Sequence, residues 1–261
     1  MASRSIDLNY VESLYRRYGT DLAKAREAQR EFHVTSGYWS NKNPTLLRRV
    51  SISLNRAGSY LKRGALLKPQ LDDIEAEITY LRLRDSKPDT VVEISPCGGW
   101  STTWILRALH DNGKGHLYSF DLVDLATKNV PKDLAEGHWT FFQGDVTKNL
   151  SGLPATIDYL FLDSDHSTRF AEWYVEHLLS RLKPTTPVSV HDIFHNALPD
   201  GFSGEGTVIM DWLQSRKKDF FTASPAKEPA HYQALVKLRT EQGLAAPIHA
   251  DIYNSMIFFD A

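Results

Sequence analysis

The spacing of hydrophobic residues changes near residue 90 of the chain. Before this point, apolar residues such as Leu8, Val11 and Leu14 recur at every third or fourth position, as they do in amphipathic helices. The helices that this spacing predicts are residues 6–33, divided in two at Gly19, a helix near 45–56, and residues 71–84. The first part of the chain is therefore expected to be helical.

From residue 90 onwards, short apolar runs alternate with helical segments. The predicted strands are 90–95, 116–121, 139–143, 157–163, 187–193, 231–238 and 254–259, and the predicted helices are 101–110, 170–182 and 206–215. Such alternation is typical of βαβ units and a parallel sheet. We predict an α/β fold, a Rossmann-like, doubly wound and mostly parallel seven-stranded sheet with an N-terminal helical extension. The expected division is an extension over residues 1–70 and a catalytic domain over 71–261.

Composition narrows the class of protein. The chain has 261 residues, of which 42% are hydrophobic, so it can bury a sizeable core. Its net charge is −2, and the chain contains no sustained block of basic residues. Both features argue against nucleic acid as a partner. The single cysteine, Cys97, excludes an intramolecular disulfide. No signal-peptide pattern and no run of about 20 apolar residues is present, so we expect a cytoplasmic protein without a membrane partner.

Acidic residues stand near the carboxyl end of each of the first five predicted strands, where parallel sheets bind their ligands. These residues are Glu93, Asp121, Asp145, Asp163 with Asp165 and His166, and the pair His191 and Asp192. Each of them alone could simply cap a turn. Five in succession are better explained by a shared binding site, and the Gly98-Gly99 pair after Glu93 would let the backbone approach a ligand closely.

The fourth and fifth predicted strands carry a separate Asp/His cluster. Asp163, His191 and Asp192 could converge there on a hard divalent ion, because two carboxylates and one imidazole suit such an ion better than zinc. His166 lies just beyond Asp163 and is a candidate general base. The alternatives are that Asp192 caps a turn and that His166 caps the following helix.

Residues 90–195 resemble the class I S-adenosylmethionine-dependent methyltransferases. Glu93 matches the acid of the first motif of that class and Gly99 its last glycine, while Ser95 and Cys97 replace the two earlier glycines. The resemblance implies that Asp121 binds the ribose and that Asp145 lies near the adenine of S-adenosylmethionine. The residues expected to bind this cofactor are Glu93, Ser95, Gly98, Gly99, Ser101, Asp121, Asp145 and Val146.

Within that class, the segment from Phe161 to Ser167, together with His191-Asp192, is similar to a narrower branch. This branch contains the metal-dependent sugar O-methyltransferases of the macrocin and mycinamicin type and their cephalosporin hydroxylase-like relatives. Asp163 and Asp192 match its metal ligands and His166 its proposed base, while His191 replaces an acid. The resemblance implies methylation of a hydroxyl on a sugar or glycosylated small molecule, with Mg²⁺ or Mn²⁺ as a second cofactor.

The resemblance also implies that the N-terminal extension covers the substrate pocket or forms a homodimer contact. Candidates to line the pocket are Tyr38, Trp39 and Arg48, and the alternative is that these side chains only pack on the core.

Three other functions remain open at this stage. A methyltransferase without a metal could act on a phenol, a carboxylate or an amine. A nicotinamide-dependent oxidoreductase is less favoured, because the first turn does not match the G-x-G-x-x-G pattern. A non-catalytic binding module would have no need for clustered acids.

Overall fold

The computed structural model describes residues 6–35, 69–199, 204–249 and 253–261. The predicted helix near 45–56 and the candidate pocket residues Tyr38, Trp39 and Arg48 lie outside these ranges. Within them, no helix is both long and apolar enough to cross a membrane.

The N-terminal region forms one helix, α1 (Leu8–Thr35), of 28 residues. The predicted break at Gly19 is therefore wrong. A side chain at Gly19 would approach the side-chain oxygen of Gln242 to 3.3 Å, so the glycine allows close contact with a distant segment instead of ending the helix. Val11, Leu14 and Leu22 are fully buried on the inner face of α1.

A seven-stranded sheet forms the centre of the molecule. Its strands are β1 (Thr90–Ile94), β2 (His116–Asp121), β3 (Trp139–Gln143), β4 (Tyr159–Leu162), β5 (Pro187–Val190), β6 (Phe221–Thr222) and β7 (Ile257–Asp260). They are arranged in the order β3-β2-β1-β4-β5-β7-β6. Strand β7 runs in the opposite direction to the other six. The predicted Rossmann-like, mostly parallel sheet is thereby confirmed.

Helices cover both faces of this sheet. After α1 they are α2 (Asp73–Ser86), α3 (Trp100–Asn112), α4 (Ala126–Asn129), α5 (Lys132–Ala135), α6 (Thr168–His177), α7 (Glu205–Ser215) and α8 (Pro229–Glu241). Successive strand residues face opposite cores: Val91 packs with the α1, α2, α3 and α8 side, and Val92 with the α6 and α7 side. The helix α1 thus shares a core with the sheet.

The prediction of a strand over residues 231–238 is wrong, because this segment belongs to α8. Pro229 occupies the first turn of α8, where a helix tolerates its missing N–H, and Leu235 and Leu238 are buried on one face. The edge strand is instead β6, which the sequence pattern did not reveal. The last predicted strand, 254–259, corresponds to β7.

Buried charges attach α1 to α2 and α8. The Glu77 carboxylate contacts the Arg26 guanidinium and accepts a hydrogen bond of 3.0 Å from Arg239 Nη2. Asp73 lies 3.6 Å from Arg26 and 3.3 Å from Arg239, and Tyr15 donates a hydrogen bond of 2.7 Å to Glu77. All five side chains are shielded from solvent, so each charge depends on its partners for solvation.

A second buried carboxylate, that of Glu93, connects β1, β2 and α3. It accepts hydrogen bonds from the hydroxyls of Ser101 (2.6 Å), Thr102 (2.9 Å) and Ser119 (2.6 Å). Burial raises the pKa of Glu93 to about 7, against the opposing effect of the three hydroxyl donors. Glu93 therefore fixes the turn that follows β1.

Removing one charge from the network of α1, α2 and α8 should destabilise the protein strongly. We expect Glu77→Gln to lower the free energy of unfolding by about 3–5 kcal/mol, because two buried guanidinium groups would share one remaining carboxylate. Glu12→Gln is the matched control, since Glu12 pairs with Arg16 on the exposed side of α1 and should cost at most about 0.5 kcal/mol. Urea unfolding of the three proteins measures this, and equal losses in both variants would contradict the assignment.

The stability of the protein should also depend on the ionisation of Glu93. The unfolded carboxyl has a pKa near 4.5 and the folded one near 7, so the contribution of the protonated group is complete below pH 4.5 and is lost as the pH rises through 7. At about 1.4 kcal/mol per pH unit, this loss is on the order of 3 kcal/mol. Glu93→Gln cannot titrate at this position. The difference in free energy of unfolding between this variant and the natural chain should therefore shift in favour of the variant as the pH rises from 4.5 to 8. Parallel pH profiles in urea unfolding would rule this out.

Candidate active site

The turn between β1 and α3 is built on three residues with left-handed backbone. Ser95, Cys97 and Gly99 have φ values of 63°, 47° and 93°. Only glycine fits at the third position, because a Cβ there would lie 2.7 Å from a methyl carbon of Val130. Ser95 and Cys97 thus adopt a backbone conformation that glycine adopts without steric strain. In each of these two residues it costs about 1–2 kcal/mol.

A cavity of about 560 Å³, here called the Asp121 cavity, opens beside this turn at the carboxyl ends of β1, β2 and β3. The predicted residues Ser95, Asp121, Asp145 and Val146 all line it. Its other walls come from the loop after β4 and from α6, including Phe170 and Trp173, whose rings stack 5.4 Å apart.

Two of the carboxylates that line the Asp121 cavity, those of Asp121 and Asp145, are already oriented by the chain. Asp121 accepts hydrogen bonds from the backbone N–H groups of Cys97 (2.9 Å) and Val123 (3.2 Å). Asp145 accepts from the N–H (2.9 Å) and hydroxyl (2.6 Å) of Thr147, and these bonds lower the pKa of Asp145. Asp145 therefore caps a turn, as the simpler alternative proposed, and also faces the cavity.

Four other predicted cofactor ligands lie away from the cavity wall. The Glu93 and Ser101 side chains are buried and hydrogen-bonded to each other, and the Glu93 side chain holds the turn in place. Gly98 and Gly99 contribute backbone alone, and the Gly98 carbonyl accepts a hydrogen bond of 3.0 Å from Asn129.

A second cavity, of about 330 Å³, adjoins the first and is here called the Asp163 cavity. The two cavities share Ser95 and Ser164 in their walls. Asp163 follows β4, and His191 and Asp192 follow β5, so the pairing of these neighbouring strands brings the predicted metal ligands together.

His191 lies at the centre of this group. Its Nδ1 is 3.2 Å from a carboxylate oxygen of Asp163 and 3.2 Å from one of Asp192, and its Nε2 is 3.4 Å from Glu75. Burial lowers the pKa of His191, but the charges of Asp163 and Glu75 outweigh it and the pKa lies well above the usual value. Burial raises the pKa of Asp192, and the bond to His191 more than reverses this effect.

His166 reaches the same group from the loop before α6. Its Nε2 is 3.4 Å from Asp192 and 3.8 Å from Asp163, and its Nδ1 is 2.6 Å from a carboxylate oxygen of Glu205. Burial lowers the pKa of His166, but the hydrogen bond and charge of Glu205 raise it to a net value above the ordinary one. The backbone of His166 is left-handed, with φ of 58°.

Three residues of this site were not identified from the sequence: Glu75, His195 and Glu205. Glu75 completes the N-terminal capping box of α2. The S/T/D-x-x-E pattern of such a box indicates where a helix starts, but it does not indicate that Glu75 lies beside His191. His195 places Nε2 3.0 Å from Asp192. Glu75 and Glu205 stand far from any predicted strand end, and His195 lies two residues beyond the predicted strand 187–193 without having been singled out.

The Asp163 cavity has a donor set that suits a divalent metal. One atom each from Asp163, His191 and Asp192 lie within 4.8 Å of one another. The Glu75 carboxylate beside the far nitrogen of His191 matches the carboxylate–histidine arrangement that orients metal-bound imidazoles. These residues therefore fit a metal in donor type and placement.

Residues 92–193 match a family model described as a methyltransferase domain. No curated protein matches the chain.

Solved methyltransferase structures share the fold. An O-methyltransferase from Bacillus cereus in complex with S-adenosylhomocysteine (SAH) superposes with a TM-score of 0.52 at 13% identity, over 85% of this chain and 93% of that one. The O-methyltransferase TomG from Streptomyces achromogenes, involved in tomaymycin synthesis and in complex with S-adenosylmethionine (SAM), gives 0.51 at 16% identity, over 75% and 92%. The SAH-bound methyltransferase PaMTH1 of Podospora anserina gives 0.50 at 11% identity, over 85% and 98%.

At sequence identities of 11–16%, the similarity to these solved structures establishes a shared fold. The match to the family model covers residues 92–193. Residues 92–193 match the methyltransferase-domain model, and the Rossmann-like sheet has the fold of these solved methyltransferases; together they support the predicted enzyme class, a SAM-dependent methyltransferase.

Proposed function

We propose that this chain transfers the methyl group of SAM to a hydroxyl of a sugar or glycosylated small molecule, with the help of a divalent metal. The observation that carries the proposal is the junction of the two cavities at Ser95 and Ser164. A donor in the Asp121 cavity and an acceptor in the Asp163 cavity would meet there, as a direct transfer requires.

The Asp121 cavity suits the donor. Asp121 keeps lone pairs for ribose hydroxyls beyond the two backbone bonds that orient it. Asp145 and Val146 would contact the adenine, and the rings of Phe170 and Trp173, which line the same cavity, would offer apolar contact. The structural neighbours from Bacillus cereus and Streptomyces achromogenes, which are complexes with SAH and SAM, support this choice of donor.

The Asp163 cavity suits a polyhydroxyl acceptor. Within the described part of the chain, no Val, Leu, Ile, Met or Phe side chain lines it, while the acids Asp72, Glu75, Asp163 and Asp192 do. A sugar ring brings several hydroxyls that can hydrogen-bond to such walls, whereas a phenol brings one hydroxyl and an apolar ring.

Asp163, His191 and Asp192 would hold the metal, which would acidify an acceptor hydroxyl and orient it. The imidazole in this donor set favours Mn²⁺ over Mg²⁺, because Mg²⁺ prefers oxygen ligands alone.

His166 acts as the base in this proposal. The acceptor hydroxyl gives its proton to Nε2 of His166, its oxygen forms a bond to the methyl carbon, and the carbon–sulfur bond breaks with its electron pair remaining on sulfur. The products are a methyl ether, SAH and a protonated His166, which then loses its proton to solvent. Nε2 is directed at Asp163 and Asp192, the region where the acceptor would bind.

A metal-free methyltransferase is the second candidate. His166, His191 and His195 all lie within 4 Å of Asp192, so protonated imidazoles could balance the carboxylates without an ion. The metal dependence of the reaction distinguishes the two candidates.

The donor assignment predicts that Asp121→Asn weakens SAH binding by about 10- to 100-fold, since an amide cannot accept as strongly from the ribose hydroxyls. Asp133→Asn, on the exposed surface of α5, should bind SAH as the natural chain does. Isothermal titration calorimetry with SAH gives the affinities, and NAD(H) serves as the comparison ligand. Binding of NAD(H) without SAH would contradict the donor proposal.

The metal assignment predicts that EDTA abolishes methyl transfer from radiolabelled SAM to a panel of methyl glycosides and that Mn²⁺ restores it. Asp192→Asn should lose the Mn²⁺-bound signal in electron paramagnetic resonance titrations, because it removes one of two carboxylate ligands. Asp165→Asn, exposed on the loop between Asp163 and His166, is the matched control. Transfer that persists in EDTA would favour the metal-free candidate.

A further inference from the structure

We propose that Glu205 is a positioning residue for His166, and that this carboxylate–imidazole pair determines which ring nitrogen faces the Asp163 cavity. The inference rests on the proposed function, in which His166 is the base. It adds a residue that neither the strand-end pattern nor the resemblance identified.

The contact itself is short and shielded. Nδ1 of His166 lies 2.6 Å from a carboxylate oxygen of Glu205, whose side chain is 2% exposed. A carboxylate can only accept hydrogen bonds, so Nδ1 carries the hydrogen. In the neutral ring Nε2 then has the free lone pair, and Nε2 is the nitrogen that lies 3.4 Å from Asp192 and 3.8 Å from Asp163.

Backbone contacts hold the two residues together although 39 positions separate them. The N–H of Glu205 donates a hydrogen bond of 3.2 Å to the carbonyl of His166. Ser167 and Gly204, the adjoining residues, form an antiparallel bridge. Gly204 has φ of 82°, and a Cβ there would lie 2.0 Å from the Thr168 hydroxyl, so only glycine allows this approach.

Both residues of the pair are energetically unfavourable on their own, Glu205 because its charge is buried and His166 because its backbone is left-handed. The buried carboxylate of Glu205 needs a hydrogen-bond donor, because an unpaired buried charge is strongly unfavourable. The left-handed backbone of His166, with φ of 58°, costs about 1–2 kcal/mol in a non-glycine residue. Such strain persists where surrounding contacts fix it, and it is common at functional sites.

The chemical consequence concerns the orientation and charge of the ring. When Nε2 takes the acceptor proton, the ring becomes an imidazolium, and Glu205 stabilises that charge without taking the proton itself. The same division of roles holds in serine-protease triads, where an amide in place of the carboxylate allows the wrong tautomer and costs about 10⁴-fold in kcat. A purely structural ion pair would instead affect the stability of the fold and substrate binding.

Proton NMR tests the pair without any substrate. We expect the metal-free natural chain to show a strongly downfield ring N–H resonance from the short bond at Nδ1, and this resonance to disappear in both Glu205→Gln and His166→Gln. Glu176→Gln is the matched control, because Glu176 is an exposed acid 4.0 Å from His177 and should leave the resonance unchanged. A resonance that persists in Glu205→Gln would overturn the proposal.

Kinetics test whether the pair serves catalysis. With methyl glycosides as acceptors, Glu205→Gln should lower kcat by about 10³- to 10⁴-fold and leave the KM for SAM nearly unchanged. In a His166→Gln background the same substitution should cost little more, because Glu205 acts through His166. Equal losses in both backgrounds, or a change confined to KM, would show a structural role and refute the proposal.

Two further outcomes are informative. If Glu205→Gln fails to fold, Glu205→Asp serves instead, because it retains the charge. We expect this variant to show a weakened ring N–H resonance and an intermediate kcat. A resonance and a kcat equal to those of the natural chain would contradict the proposed pairing. Absence of any methyl transfer by the natural chain would refute the proposed function, while the NMR result would still decide the pairing of Glu205 with His166.

Discussion

The Glu93 carboxylate joins the three elements from which the site is built: β1, β2 and α3. By accepting hydrogen bonds from hydroxyls of α3 and β2, it ties the end of β1 to the start of α3. The left-handed turn between them then presents the N–H of Cys97 to Asp121. The orientation of the principal carboxylate in the Asp121 cavity is therefore a consequence of a buried contact behind the turn.

The order of strands explains why the two cavities share a wall. β1 lies between β2, which ends with Asp121, and β4, which Asp163 follows directly. Ser95, at the end of β1, is consequently common to both cavities. The paired strands thus set the separation between the two cavities, while the loops and helices that follow them provide the remaining walls.

Sequence patterns predicted the features that depend on local spacing, and missed those that depend on contacts between distant segments. Short apolar runs located β1 to β5, and their acidic ends correctly indicated that Asp163, His191 and Asp192 converge. The same pattern failed at 231–238, because a short apolar run fits a strand as well as one helix face.

The missed site residues follow the same rule. Glu75 and Glu205 stand in the first turns of helices, and nothing in their local sequence shows that each faces a histidine from another part of the chain. The close approach of Gln242 to Gly19 inside α1 was equally hidden, because Gln242 is remote in sequence. The loop shape at Ser95 and Cys97 could not be deduced either, because the usual glycines are absent there.

The buried charges around Glu77 have a consequence for how the chain is divided. Arg26 comes from the predicted N-terminal extension, Glu77 from the start of the predicted catalytic domain, and Arg239 from near the C-terminus. A chain that began at residue 71 would lack Arg26 and the apolar face of α1. The boundary between residues 70 and 71 thus separates two stretches of sequence, and we expect both to fold and unfold as one cooperative unit.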